Sequence, residues 1–264
     1  MIKPDDNINL MGRFNLKGRR ALVTGSARGI GRAIAVALAE FGARVIVHGV
    51  KPSQNLSGAL DAVRKHSPES FAVCADLREP DAPKSILEAI SKECDLPDIL
   101  VANASLQYRT KWTDITLEEA REQMQVNFHA TMALIQGCYP LMKKQRWGRV
   151  VTIGSVQEFR PHPDMAVYAA SKSAQENLVR NLARQVAAEG ICINNISPGV
   201  FATDRNEVVL ANPEYAKKVT DCIPSHEYAT PADAAGAALL LCSDAGRYIT
   251  GSTIVIDGGL RLPG

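Results

Sequence analysis

Residues 21–31 read Ala-Leu-Val-Thr-Gly-Ser-Ala-Arg-Gly-Ile-Gly. Three apolar residues have the look of a buried strand, glycines follow within a few positions, and residues 30–41 then carry small and apolar side chains at helical spacing. Gly25, Gly29 and Gly31 allow a tight turn in which backbone N–H groups can approach a pyrophosphate. The amino end of the following helix adds its partial positive charge. A glycine-rich turn alone is weak evidence; it gains meaning from the order strand, glycines, helix.

The same alternation runs outward along the chain. Ala21-Leu-Val, Val45-Ile-Val, Phe71-Ala-Val, Ile99-Leu-Val, Val150-Val-Thr-Ile, residues 193–196 and Thr253-Ile-Val-Ile read as strands apolar enough to be covered on both faces. Between them, 30–41, 57–66, 82–94, 117–144, 165–189 and 231–242 have helical spacing. The last has a start signal, with Thr230 as N-cap, Pro231 at the first helical position and Asp233 two residues on. Strand–helix alternation predicts an α/β fold. We expect a three-layer, doubly wound Rossmann-type domain whose mostly parallel seven-stranded sheet has helices on both faces. One domain should span residues 1–264, because no linker or repeat divides it. Residues 200–230 break the rhythm with mixed polarity, as a flap covering a substrate at the carboxyl ends of the strands would.

The 264 residues carry 30 Lys+Arg against 28 Asp+Glu, a net charge of +2. That balance supplies no electrostatic ground for nucleic acid or a membrane surface as partner. The six cysteines, at 74, 94, 138, 192, 222 and 242, form no metal or redox motif and suit a reducing compartment. Met1-Ile-Lys-Pro-Asp-Asp lacks the apolar core of a signal peptide, and the most apolar stretch, 234–242, is too short to span a bilayer. The expectation is a cytoplasmic protein with a small-molecule substrate and no metal.

Tyr168-Ala-Ala-Ser-Lys172 carries the chemistry. Four residues apart on a helix, the phenol and the ammonium share one face. A free tyrosine, with a pKa of about 10, is a poor acid–base group near neutrality, and a neighbouring cation lowers that value.

The glycine spacing is Gly-x-x-x-Gly-x-Gly, not Gly-x-Gly-x-x-Gly. Together with Tyr168 and Lys172 it resembles the short-chain dehydrogenase/reductase family, and the likeness extends over roughly residues 18–259. Ser155 stands thirteen positions ahead of Tyr168, the family's interval, and Asn127 in Gln125-Val-Asn-Phe-His matches its helix-bending asparagine. The resemblance implies a hydride transfer between a nicotinamide dinucleotide and a secondary alcohol or ketone. Tyr168 would be the acid/base, Ser155 would hold the substrate oxygen, Lys172 would assist, and Asn127 would hold a relay water. It further implies cofactor contacts from Gly25, Ser26, Arg28, Gly29, Ile30, Gly31, Asp76, Leu77, Asn103, Ala104, Tyr168, Lys172, Pro198, Gly199 and Thr203. Ala102-Asn-Ala-Ser105 departs from the family's Asn-Asn-Ala-Gly and puts the Ser105 hydroxyl beside the site. The resemblance also implies pairing through the helices 117–144 and 165–189 into a homotetramer, or failing that a dimer.

Members that prefer NAD carry an aspartate at the end of the second strand. Gly49 stands there, the next carboxylate is Asp61, and Arg28 and Lys51 are placed to meet a 2′-phosphate, so NADP(H) is favoured with NAD(H) still possible. His48 reads as a half-buried strand residue. Substrate specificity is expected from the loops 156–164 and 200–230. Ser105, Gln157, Arg160 and His162, together with Glu158, make the surroundings polar and point to a sugar, polyol or sugar acid. The alternative is a 3-oxoacyl-[acyl-carrier-protein] reductase. Arg146 matches one carrier-docking position of such enzymes, whereas Glu189 reverses the charge of another. A dinucleotide sensor without catalysis would not need Ser155, Tyr168 and Lys172.

Overall fold

A computed structural model describes residues 9–203, 206 and 211–263. Seven strands pair in parallel: β1 (Arg20–Val23), β2 (Arg44–Gly49), β3 (Phe71–Cys74), β4 (Ile99–Ala102), β5 (Gly148–Ile153), β6 (Ile191–Pro198) and β7 (Thr253–Ile256). Their order is β3-β2-β1-β4-β5-β6-β7. The sheet is therefore wholly parallel among its named strands, where the sequence predicted mostly parallel.

The helices are α1 (Gly29–Glu40), α2 (Gln54–Arg64), α3 (Ala82–Ser91), α4 (Leu117–Met124), α5 (Ala130–Gln145), α6 (Ala166–Val186), α7 (Pro213–Asp221) and α8 (Asp233–Cys242). Alternate strand residues face opposite layers. Ala21, Val23, Val45 and Val47 pack with Ile34 and Leu38 of α1, Val63 of α2 and Leu241 of α8. Leu22, Ile46 and Val73 pack on the other face with Ile86 of α3, Leu134 of α5 and Val179 of α6. Burial on both faces explains why the strands are continuously apolar, each filled Leu or Ile adding about 1.5–3 kcal/mol. Chain order reverses between β1 and β4, and the carboxyl ends of the strands open into a crevice there.

Three local expectations change. The helix expected at 117–144 contains one turn of π-helix at Gln125–His129, between α4 and α5. An added residue of this kind shifts one side chain without ending the apolar stripe. The helix expected at 231–242 begins at Asp233 with Ala232 as its cap. The Asp233 carboxylate accepts from the Thr230 N–H (2.6 Å) and hydroxyl (2.7 Å), so Thr230 donates where an N-cap would accept. His48 is fully buried, not half-buried, at 2% exposure. Of the flap at 200–230, residues 204, 205 and 207–210 lie outside the described residues, as do 1–8 and 264 of the domain. Among the described residues no helix is long and apolar enough to cross a membrane.

Candidate active site

A cleft of about 590 Å³ lies over the carboxyl ends of β1, β4 and β5, bordered by the turn after β1 and by residues 198–203. Its floor on the β1 side is laced by side chains that bond to backbone groups. The Thr24 hydroxyl accepts from the N–H groups of Asn103 and Ala104, both at 3.0 Å. The Asn103 amide donates to the carbonyls of Thr24 (2.9 Å) and Gly25 (3.1 Å). Gly25 has φ +62°, and a Cβ there would lie 2.9 Å from the Ala104 Cα; a Cβ on Gly31 would collide with the Asn103 amide. These glycines let the turn pack directly on Asn103 and Ala104 at the amino end of α1, an arrangement that fits the pyrophosphate of the dinucleotide the fold implies.

His48 completes this floor. Its Nδ1 accepts from the Gly25 N–H at 3.0 Å and its Nε2 faces the Ala75 carbonyl at 3.1 Å. Only a neutral ring carrying its proton on Nε2 satisfies both. Burial agrees with that state, pushing the imidazole down to about 4. The Ser26 hydroxyl accepts from the His48 N–H at 2.9 Å, so Ser26 is buried behind the turn and does not line the cleft.

Arg28, Gly29, Ile30, Gly49, Asp76, Leu77, Asn103, Ala104, Pro198, Gly199 and Thr203 all line it; Lys51, fully exposed just past β2, does not. The Arg78 guanidinium donates to Asp76 Oδ2 (2.6 and 3.0 Å) and Oδ1 (3.2 Å) and holds that carboxyl below its usual range.

Ser155 and Tyr168 share the opposite wall, at 9% and 5% exposure. Lys172, one turn further along α6, is 1% exposed. Its Nζ donates to the Ile153 carbonyl (2.6 Å) and to Gln175 Oε1 (3.2 Å), 5.8 Å from the centroid of the Tyr168 ring. An ammonium held that close favours the phenolate over the phenol. Asn127 sits in the π-turn, fully buried. Its Oδ1 accepts from Leu106 N–H (2.8 Å), and its Nδ2 donates to the Leu106 carbonyl and the Ser171 hydroxyl, both at 2.9 Å. It thereby ties the loop after β4 to the helix that carries Tyr168.

The substrate end is walled by loops. Ser105, Gln107 and Arg109 come from the segment after β4, Gln157 from the turn after β5, Phe201 and Val219 from the flap and Leu260 from the carboxyl tail. Arg109 is exposed, and its side chain has no hydrogen-bond or ion-pair partner among the described residues. Two residues expected at the substrate are placed elsewhere. Arg160 donates to the Leu260 carbonyl at 2.8 Å and His162 Nδ1 accepts from the Asp164 N–H at 3.1 Å, neither lining the cleft. Gln107, Arg109 and Arg78 were not among the expected site residues, and His48 was expected only as a strand residue. Counting on from Ser105 would have reached the first two; nothing local marks the others.

Glu189 is paired with Lys143 at 2.8 Å and accepts from the Tyr139 hydroxyl at 3.2 Å. The charge reversal noted in the sequence is therefore offset by a neighbouring cation. Among the described residues no three His, Cys, Asp or Glu side chains converge as metal ligands.

Comparison with known proteins places this geometry. Residues 25–261 match a family model described as enoyl-(acyl carrier protein) reductase. A 3-oxoacyl-[acyl-carrier-protein] reductase of Aquifex aeolicus is 33% identical over 94% of this chain and 99% of its own length. Gluconate 5-dehydrogenase of Gluconobacter oxydans is 31% identical over 94% of this chain and 97% of its own. A crystal structure of a 3-oxoacyl (acyl-carrier-protein) reductase from Agrobacterium tumefaciens C58 with NADP bound superposes with a TM-score of 0.91 at 36% identity, covering 97% of this chain and 99% of that one.

Proposed function

This chain belongs to the short-chain dehydrogenase/reductase family of NAD(P)-dependent oxidoreductases acting on CH–OH groups, and we propose that its substrate is a small hydroxy acid of the sugar-acid type. The observation that carries this is Arg109, a guanidinium on the cleft wall with no partner among the described residues, in a cleft that Gln107 and Gln157 also line. A guanidinium recognises a carboxylate through paired hydrogen bonds, and the two amides suit hydroxyl groups.

The residues divide the work as follows. The glycine turn would hold the dinucleotide's pyrophosphate, and the nicotinamide would supply or accept the hydride. Ser155 Oγ holds the substrate oxygen at the wall shared with Tyr168. Tyr168 Oη receives the proton of an alcohol, or returns it to a forming alkoxide. Lys172, kept from solvent and fixed to the Ile153 carbonyl, stabilises the phenolate between those events. Arg28, with Gly49 in place of a carboxylate, favours the 2′-phosphate of NADP over the bare hydroxyl of NAD. Exposed Leu117 and Tyr248 fit assembly as a homotetramer, which light scattering tests.

The 3-oxoacyl-[acyl-carrier-protein] alternative draws on the Aquifex and Agrobacterium relatives and on the basic cluster of Lys143, Lys144 and Arg146. One experiment separates the two: oxidation of D-gluconate with NADP⁺ against reduction of acetoacetyl-CoA with NADPH. We expect gluconate to turn over. Arg109→Ala should lower its kcat/KM roughly tenfold to hundredfold, as for a lost charge-assisted bond of about 1.5–3 kcal/mol, while leaving an uncharged polyol unaffected. Efficient reduction of acetoacetyl-CoA with gluconate inert would give the site to the acyl substrate.

A further inference from the structure

The wall that presents Ser155 contains a carboxylate with no part in the scheme above. Glu158, three residues on, turns back under β5. Its Oε1 accepts from the Ser155 N–H at 3.0 Å, and its Oε2 accepts from the Ser197 hydroxyl at 2.5 Å. The Asn195 amide donates to both oxygens, at 3.3 and 3.2 Å. Asn195 is held in turn by the Thr152 hydroxyl, at 2.7 Å from its Oδ1. Ser197 and Asn195 are fully buried residues of β6, so the carboxylate bridges the ends of two neighbouring strands.

Gly154 shows that this insertion is built into the strand. A Cβ at that position would collide with the Glu158 carboxylate and lie 2.8 Å from the Asn195 amide. One residue back, the Ile153 carbonyl accepts from the Lys172 ammonium at 2.6 Å. The segment 153–155 is thus pinned at its carbonyl by a buried cation and at its N–H by a largely buried anion. Burial pushes the Glu158 carboxyl up, against the opposing pull of Ser197, Ser155, Asn195 and Lys172.

A glutamate that only capped a short turn would lie at the surface, where its charge stays hydrated. Placing a carboxylate in the sheet layer desolvates it, and that loss is offset only by a full set of donors such as Ser155, Ser197 and Asn195. The Ser155 hydroxyl also accepts from the Gln157 N–H at 3.2 Å, so the turn that Glu158 closes sets the hydroxyl's direction as well as the backbone's place.

We propose that Glu158 is a positioning residue for the reaction, fixing the Ser155 hydroxyl at the cleft wall through the Ser155 backbone N–H. This rests on Ser155 being the group that holds the substrate oxygen. Displacement of such a group by about 1 Å is enough to lose roughly a hundredfold in rate.

The test is a double-mutant cycle on the whole enzyme: wild type, Glu158→Ala, Ser155→Ala and the pair. Turnover is followed with D-gluconate and NADP⁺, or with acetoacetyl-CoA and NADPH if that is the compound used. NADPH affinity by fluorescence and thermal unfolding are recorded alongside. Glu158→Ala should lower kcat about tenfold to hundredfold with the NADPH Kd unchanged within about twofold, and should lower it no further once Ser155 is Ala. An equal loss in both backgrounds, or a kcat unchanged in the single variant, overturns the proposal. Wild-type turnover in Ser155→Ala would instead bring down the assignment of Ser155 itself. If Glu158→Ala does not fold, Glu158→Gln keeps an acceptor for Ser155 but sets an N–H₂ against the donors of β6, and the same cycle is read with it.

Discussion

The two ends of the cleft are built from different materials. At the cofactor end the contacts run onto backbone groups, with the side chains of Asn103, Thr24 and His48 locking the turn to the ends of β1, β3 and β4. At the substrate end the walls are side chains on four separate loops, and Arg109 and Gln107 line the cleft with no side-chain hydrogen bond among the described residues. A backbone site admits few sequences, so it leaves a motif. A side-chain wall admits many, and it sets specificity through one or two residues.

The largest effect that sharpens this contrast lies where the two ends meet. Tyr168→Phe should lower kcat by about a thousandfold or more while NADPH Kd stays within twofold, since only the proton carrier is removed. Lys172→Met should damage both, because the same ammonium serves the phenol and the backbone beside the cofactor. Wild-type turnover in Tyr168→Phe would mean that another group carries the proton.

Next is the floor of the cofactor end. The folded protein keeps His48 neutral down to about pH 4, whereas the unfolded chain takes up a proton near its ordinary pKa of about 6.5. Its contribution to stability is therefore complete above about pH 6.5 and is lost as pH falls toward 4. The loss is at most roughly 1.4 kcal/mol per pH unit, or about 3 kcal/mol over the window. Urea denaturation at pH 7, 6, 5 and 4.5 should show this slope in the wild type and a flatter one in His48→Asn. Equal slopes would show that the imidazole titrates alike in both states.

The smallest effect concerns which dinucleotide is held. NADPH should bind about tenfold to hundredfold tighter than NADH, or 1.4–2.7 kcal/mol. Gly49→Asp should invert that order. A Cβ at Gly49 would meet the Leu56 methyls at 3.3–3.4 Å, which a small shift of that side chain accommodates. Arg28→Ala should weaken NADPH far more than NADH, and Lys51→Ala, outside the cleft wall, should change either by less than about threefold. Tighter NADH binding in the wild type would break the assignment of Gly49 to that corner.

The same contrast explains what could be read without coordinates. Strand–glycine–helix order and Tyr168/Lys172 are local patterns, and each lands where its spacing implies. Arg160 and His162 share a polar loop with Gln157, but only contacts distant in sequence decide where they point. Arg160 pairs with a carbonyl one hundred residues away. Helical periodicity likewise runs through the π-turn at 125–129 unmarked, because one added residue hardly alters the apolar stripe. Glu158 counted only as one more polar residue until the strand beside it came into view.

The Arg160 tie to Leu260 has a practical side. Leu260 forms part of the cleft wall, and it is held on both sides: its carbonyl accepts from Arg160, on an otherwise exposed loop, and its N–H donates to the Asp257 carbonyl at 3.0 Å. A tag or fusion partner joined close behind this segment would load the ties that hold the wall of the substrate chamber. Michaelis constants measured on such a preparation would then report the tag as well as the enzyme, and cleaving it off before kinetics is the safer order of work.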